Sequence, residues 1–315
     1  MTAALGRQDP FLRRLSAYLA ERFPVLGHGL LIVAYYSSNQ FLARALTDPG
    51  RPMHYDLTSL LGAVTLFCFF FHLRVFDEHK DYAEDVIHHP DRVLQRGLIT
   101  LRDLKILGAV AIAVEITLAA VRGLPALAGW GIAFAFSFLM LKEFFVRDWL
   151  KRHFLVYAVS HMLLMPFLAL MVFSFATGRW PWEAPGWYFV YSWVGFFVTF
   201  NWEVSRKIRA PEDEREGVET YTRIFGTYGA AYIVLAIRVI DTALVILVGH
   251  HLGLPRWFDV ALVGLFLVTL IGFFQFRLQT SRATAKRMET YAGMYIIAFD
   301  LILAAAIGSL YGVRL

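Results

Sequence analysis

The chain has 315 residues, of which 58% are hydrophobic, 16% aromatic and only 17% charged, with a mean hydropathy of +0.54. Soluble domains carry about 25% charged residues, and a soluble chain of this size has no means of hiding so much apolar surface; disorder, a coiled coil and a disulfide scaffold are excluded with it, since Cys68 is the one cysteine. The net charge of +5 suits a basic face turned toward anionic lipid or substrate better than a nucleic-acid partner.

Residues 1–23 are charged throughout and do not read as a cleavable signal peptide. A membrane-crossing helix needs about 20 mainly apolar residues. Nine stretches qualify, at roughly 25–46, 57–75, 104–121, 124–141, 154–176, 187–203, 227–248, 258–275 and 292–311. They predict an all-α, multi-pass membrane protein of nine transmembrane helices, one domain over 1–315, with polar loops at about 74–103 and 201–226. Spans three and four form a tight hairpin at Arg122 and Gly123, with Pro125 in the first turn of the fourth. Arg238 and Asp241 interrupt span seven and pair at i, i+3. Asp300 and Glu115, inside spans nine and three, have no partner evident in the sequence.

The N-terminus and the loops after the even-numbered spans hold 23 of the 30 Lys and Arg residues; the other loops hold six, and Arg238 lies within a span. The positive-inside rule therefore predicts a cytoplasmic N-terminus and cytoplasmic even-numbered loops, in an inner or plasma membrane. The opposite side has short connections rich in Pro, Gly and Trp, such as Thr177–Trp187.

Two of the cytoplasmic loops are far more charged than the rest. The first follows span two, where Asp77, Asp81 and Asp85 recur every four residues and share one face if the helix continues. Carboxylates so spaced repel one another, and a divalent cation reverses that sign. Hard oxygen ligands with open positions suit Mg²⁺, which commonly also takes substrate phosphate oxygens. Lys80, Arg92 and Arg96 are placed to hold the same phosphates. The plain alternative is a solvated acidic helix end, but this one lies where an apolar span stops and basic residues follow.

The second segment follows span six, where Glu203, Arg206 and Lys207 share a helical face and Pro211 is expected to end the helix at Ala210. A basic membrane anchor accounts for Arg206, Lys207 and Arg209, but not for Glu203 or the acidic run after Pro211. Two such segments on one side imply a single site between them.

These segments resemble the aspartate-rich loops of the UbiA superfamily of intramembrane prenyltransferases, which has nine transmembrane helices and places those loops after helices two and six. The family's N-D-x-x-D-x-x-x-D is matched by Asp77, Glu78, Asp81 and Asp85, with Asp77 in place of Asn. His88, His89, Pro90, Asp91, Arg92, Arg96 and Gly97 resemble the N-K-P-x-R-P-x-x-x-G that follows. Leu150, Lys151 and Arg152 resemble its L-K-R, with Phe145 and Val146 where a tyrosine usually precedes it. In the second loop Asp213, Gly217 and Thr220 match the end of the motif, whereas Arg206 and Arg209 stand where acids are expected.

The resemblance implies a central cavity and Mg²⁺-dependent ionisation of an allylic, isoprenoid diphosphate, with the prenyl group passing to a small-molecule or lipid acceptor. It implies Asp77, Asp81 and Glu203 as catalytic residues and Asp77, Asp81, Asp85, Glu203 and Asp213 as metal ligands. It assigns Lys80, Arg92, Arg96, Lys151, Arg206, Lys207 and Arg209 to the diphosphate. The basic second loop is expected to grip the leaving group directly. Phe69, Phe70, Phe71, Phe134, Phe136, Phe138, Phe196 and Phe197 collectively suit an isoprenoid tail and a carbocation. A UbiA-type terpene cyclase, which quenches the cation within its own chain, is the alternative enzyme. A transporter built on Arg238, Asp241 and Asp300 is the remote one: no internal repeat is present and the charged clusters lie at helix ends.

Overall fold

The computed structural model describes residues 5–214 and 219–314, and is all-α apart from one short strand pair. A short amphipathic helix α1 (Phe11–Arg22) precedes α2 (Val25–Thr47). Strand β1 (Met53–His54) leads into α3 (Leu57–His88), which at 32 residues is about 48 Å long. The chain continues through α4 (Leu101–Arg122), α5 (Leu124–Leu141), α6 (Arg147–Lys151), α7 (Phe154–Met162) and α8 (Leu164–Thr177). It closes with α9 (Gly186–Arg206), α10 (Tyr221–Leu252), α11 (Arg256–Leu278), α12 (Arg282–Tyr311) and β2 (Val313–Arg314).

Local sequence explains the joints. Gly123, with φ 123°, turns α4 directly into α5, and Pro125 sits in the first turn as expected. Pro166 has no N–H for the carbonyl four residues earlier, and α7 breaks from α8 at Leu163. Gly226, with φ 73°, kinks α10 one turn after it begins, so the apolar run starts where the sequence predicts. Helix α9 stops at Arg206, before the boundary expected from Pro211.

Among the described residues seven spans are long and apolar enough to cross a membrane: α3, α4, α5, α7 with α8, α10, α11 and α12. The expectation of nine is therefore met by seven. Helices α2 and α9 lie at the expected positions, but Ser37, Ser38, Asn39 and Gln40 in the first, and Asn201, Glu203 and Arg206 in the second, dilute their apolar runs.

Apart from Arg206, which is exposed at the polar end, those residues are buried between helices, where unsatisfied groups are costly. Helix α12 packs on α2 and α9, and there Asp300 accepts hydrogen bonds from Ser38 and from Tyr191, the latter at 3.2 Å. Asn201 Oδ1 accepts from Arg238 at 2.5 Å, and Arg238 pairs with Asp241 at 3.1 Å while lying 3.5 Å from the centre of the Tyr295 ring. Glu115 of α4 takes Trp130 Nε1 of α5 at 2.9 Å and lies 2.8 Å from Nδ1 of His72 on α3. All three intramembrane acids thus have partners, supplied by neighbouring helices for Asp300 and Glu115.

The loops gather at the two ends of α3. At its start, β1 pairs in parallel with β2, Arg44 reaches Asp56 at 3.5 Å, and Arg179 reaches Asp48 at 3.5 Å. At its far end, Arg22, Arg92, Lys151 and the segment after α9 converge. The set of loops richer in basic residues is the one at this far end.

Candidate active site at the polar end of the bundle

The first polar segment is the continuation of α3, as the every-fourth-residue spacing predicts. Its three aspartates have different surroundings. Asp77 lies 3.7 Å from Arg74 and 3.5 Å from Lys80. Asp85 is held by Arg92 at 2.6 Å, with Arg22 at 3.9 Å. Asp81 has no ion pair among the described residues and lines a cavity of about 770 Å³. Glu78, from the same motif, points away: it is buried, accepting from Arg22 Nε at 2.6 Å and from the Tyr18 hydroxyl at 3.4 Å. Helix α1 thereby clamps the segment.

The cavity joins the two polar segments. Asp81, Glu84, Asp85, His88 and His89 face Ile208, Arg209, Glu212, Asp213, Glu214 and Thr220 across it. Its third wall is the start of α12, with Arg282, Ala285, Lys286 and Glu289. Arg282 grips Asp213 through Nε at 2.8 and 2.9 Å, and Lys286 pairs with Glu289 at 2.8 Å. The lining therefore holds seven carboxylates against three permanent cations, an excess that favours cations, or anions that arrive with them. At its edge, burial and the Arg92 charge lower the affinity of His89 for a proton.

Beside the cavity a second cluster centres on α7. Lys80 is nearly buried; its Nζ donates to the Tyr157 hydroxyl at 2.9 Å and lies 5.5 Å from that ring's centre. Tyr157 stacks on His161 at 4.2 Å, and Phe144 meets His161 edge-on at 6.0 Å. From α9, the buried Glu203 takes Arg206 Nε at 2.5 Å and Lys207 Nζ at 2.8 Å. Lys207 lies 4.8 Å over Phe154, and Arg206 5.3 Å over Trp202. Phe144 belongs to a run, Glu143, Phe144 and Phe145, with φ of 46°, 53° and 61°. Left-handed backbone costs a non-glycine residue roughly 1–2 kcal/mol; the buried Glu143, bound to Arg147 at 2.9 Å, helps hold it.

The sequence-derived set is thus gathered in part. Asp81, Asp85, Arg209 and Asp213 line one cavity, and Lys151 reaches it through Glu84. Asp77, Lys80, Glu203, Arg206 and Lys207 surround α7 instead. Arg92 is engaged by Asp85, and Arg96 lies apart, 3.3 Å from the Leu5 carbonyl. Gly217 lies outside the described residues. Of the aromatic set, Phe69 and Phe196 are buried, whereas Phe138 is exposed on the bundle surface.

Among the described residues no three His, Cys, Asp or Glu side chains form a group able to hold a metal unaided. The five expected carboxylate ligands do not come together, because Asp85, Glu203 and Asp213 each grip arginine or lysine. The donor chemistry still fits Mg²⁺, which characteristically uses one or two carboxylates and leaves its other positions to water and phosphate. Asp81 faces the cavity, and Asp77 stands one turn earlier on α3.

Sequence reasoning missed Tyr157, Arg22 and the α12 residues Arg282, Lys286 and Glu289. Tyr157 lay inside an apolar span, and Arg282 and Lys286 counted only toward topology, although their i, i+4 spacing places them on one face.

Among curated proteins none matches this sequence. Several solved structures share the fold. A digeranylgeranylglyceryl phosphate synthase is 17% identical with a TM-score of 0.63, covering 94% of this chain and 99% of its own. An apo UbiA homologue from Aeropyrum pernix K1 is 17% identical with a TM-score of 0.64, covering 89% and 96%. A UbiA homologue from Archaeoglobus fulgidus bound to GPP and Mg²⁺ is 14% identical with a TM-score of 0.56, covering 92% and 99%. The model of the UbiA prenyltransferase family matches residues 30–298, so the polar cavity and the helices that frame it are those of a chain that belongs to that family.

Proposed function

We propose that this chain ionises an allylic isoprenoid diphosphate with the help of Mg²⁺ and transfers the prenyl group to a small acceptor. The observation that carries the reading is the single cavity between the carboxylates ending α3 and the segment after α9. Family membership supports it, as does the binding of GPP and DMAPP with Mg²⁺ by the Archaeoglobus fulgidus homologue.

Asp77 and Asp81 would hold the metal, with Asp85 adjoining. The metal supplies Lewis-acid neutralisation of charge on the leaving diphosphate. Lys80 and Lys207 both reach α7, at Tyr157 and at Phe154, are fixed by Tyr157 and Glu203, and offer positive charge that needs no reorganisation when the leaving group gains its own. Arg206 and Arg209 extend that cationic rim. Arg92, Arg96 and Lys151 are further proposed contacts, each of which must first let go of its present partner. Tyr157, Phe144 and Phe154 line the same region with π faces suited to an allyl cation. The membrane is the proposed location, with the cavity on the cytoplasmic side and the acceptor a small molecule or a lipid.

The decisive experiment incubates purified protein, Mg²⁺ and allylic diphosphates of several lengths, with and without candidate acceptors. Prenylated acceptor, abolished by chelator, supports the reading. A cyclic hydrocarbon or alcohol formed without any acceptor would identify a terpene cyclase instead. No consumption of any diphosphate would remove both.

A further inference from the structure

We propose that His161 is the base of this reaction, its Nε2 taking the proton that the acceptor gives up; the inference rests on the prenyl-transfer reading above. His161 Nδ1 lies 2.8 Å from the carbonyl oxygen of Tyr157. A carbonyl only accepts, so Nδ1 carries the hydrogen, and the neutral ring bears its lone pair on Nε2. That atom is buried and has no partner among the described residues, whereas a buried polar atom is ordinarily bonded. A lone pair left open on a side chain only 8% exposed is a place for a ligand atom.

The surroundings match the chemistry. Lys80 and Asp77 from α3 and Glu203 from α9 are the charged groups that act on the ring, and Tyr157 on its own helix is the neighbouring phenol. They include the groups proposed to hold metal and diphosphate. Tyr157 stacks on the imidazole and Phe144 meets it edge-on, so the ring sits in the aromatic region where the allyl cation would lie. In the step, the allylic C–O bond breaks and its electron pair leaves with the diphosphate. A lone pair on the acceptor heteroatom forms the new bond to carbon. The heteroatom–hydrogen bond then breaks, its electrons remaining on the heteroatom and its proton passing to Nε2. The proton then moves from Nε2 to the departing diphosphate.

The experiment compares wild type, His161→Gln and His161→Phe in the full chain with Mg²⁺, an allylic diphosphate and an accepted nucleophile. Loss of the base should lower kcat by about 10²–10⁴-fold while KM for the diphosphate stays unchanged. The acidic limb of the wild-type kcat–pH profile should vanish in the variants, and added imidazole should restore part of the rate to His161→Phe. Near-normal kcat, a loss confined to KM, or no imidazole rescue in a folded variant overturns the assignment. A wild-type profile with no acidic limb overturns it without any variant. A wild type that consumes no diphosphate instead removes the prenyl-transfer reading, so the two failures are distinguishable.

Discussion

Lys80 Nζ and the Tyr157 hydroxyl, 77 residues apart in sequence, are joined by a 2.9 Å hydrogen bond in the partly buried space between α3 and α7. A buried ammonium must be paired or it loses its charge; here the phenol and Asp77 share that task. The bond ties the first polar segment to the helix that carries His161. Tyr157→Phe keeps the ring stacked on His161 but releases Lys80. A bond to a charged group contributes roughly 1.5–3 kcal/mol, so KM for the diphosphate should rise about 10- to 100-fold. Unchanged KM in steady-state assays would show that Lys80 needs no such positioning.

Asp81 stands on the cavity wall without an ion pair among the described residues, so replacing it should leave the fold intact. Asp81→Ala is expected to lower turnover about a thousandfold or more, since Lewis-acid assistance is worth several kcal/mol. Its thermal melting should match wild type. Turnover that survives either this change or excess chelator would be incompatible with the metal role.

Arg206 is fixed by Glu203 at 2.5 Å while its side chain remains 42% exposed at the polar end. Arg206→Ala should weaken diphosphate binding by roughly 1.5–3 kcal/mol for each charge-assisted bond lost. Arg206→Lys should fall between, keeping charge but not the planar fork. If the residue only anchors topology, both variants will have wild-type KM and kcat once correctly inserted.

The topology prediction uses the single native cysteine. After Cys68→Ala, cysteines placed singly at 88 and 180 should respond oppositely to a membrane-impermeant thiol reagent, with 180 labelled from outside intact cells. Labelling of 88 from outside would reverse the orientation.

Asp56 controls the other end of α3. Its carboxylate accepts from the Ser59 backbone N–H at 2.8 Å and from the Thr58 hydroxyl at 2.7 Å. Burial opposes ionisation, but these bonds and the Arg44 charge outweigh it and hold the carboxyl well below the usual range. A carboxyl lowered on folding contributes stability that is complete above its unfolded value of about 3.9 and is lost as pH falls through the folded value. Asp56→Ala should remove about 1 kcal/mol of cap stabilisation at neutral pH and flatten melting temperature against pH below about 5. An equally steep acid decline in the variant would exclude Asp56 as its source.

The sequence by itself determined the class of molecule, the location of most of its apolar helices and the two polar segments that border one cavity. Those features are written in local patterns: apolar runs, the Asp77, Asp81, Asp85 spacing along one helix face, and the hairpin at Gly123. Neighbours in the chain also fixed the Glu203 pairing with Arg206 and Lys207, three and four residues on. Only the tertiary structure decided which charges meet across helices. Arg282 closing on Asp213, Arg22 on Glu78, and His72 on Glu115 have sequence separations no periodicity encodes. The same holds for Lys80, Tyr157 and His161, whose relation depends on α7 being broken from α8 at Leu163 and packed between the ends of α3 and α9. Burial sets the reason: inside a membrane bundle an unpaired polar group is costly, and the partner it finds is whichever helix packing brings near.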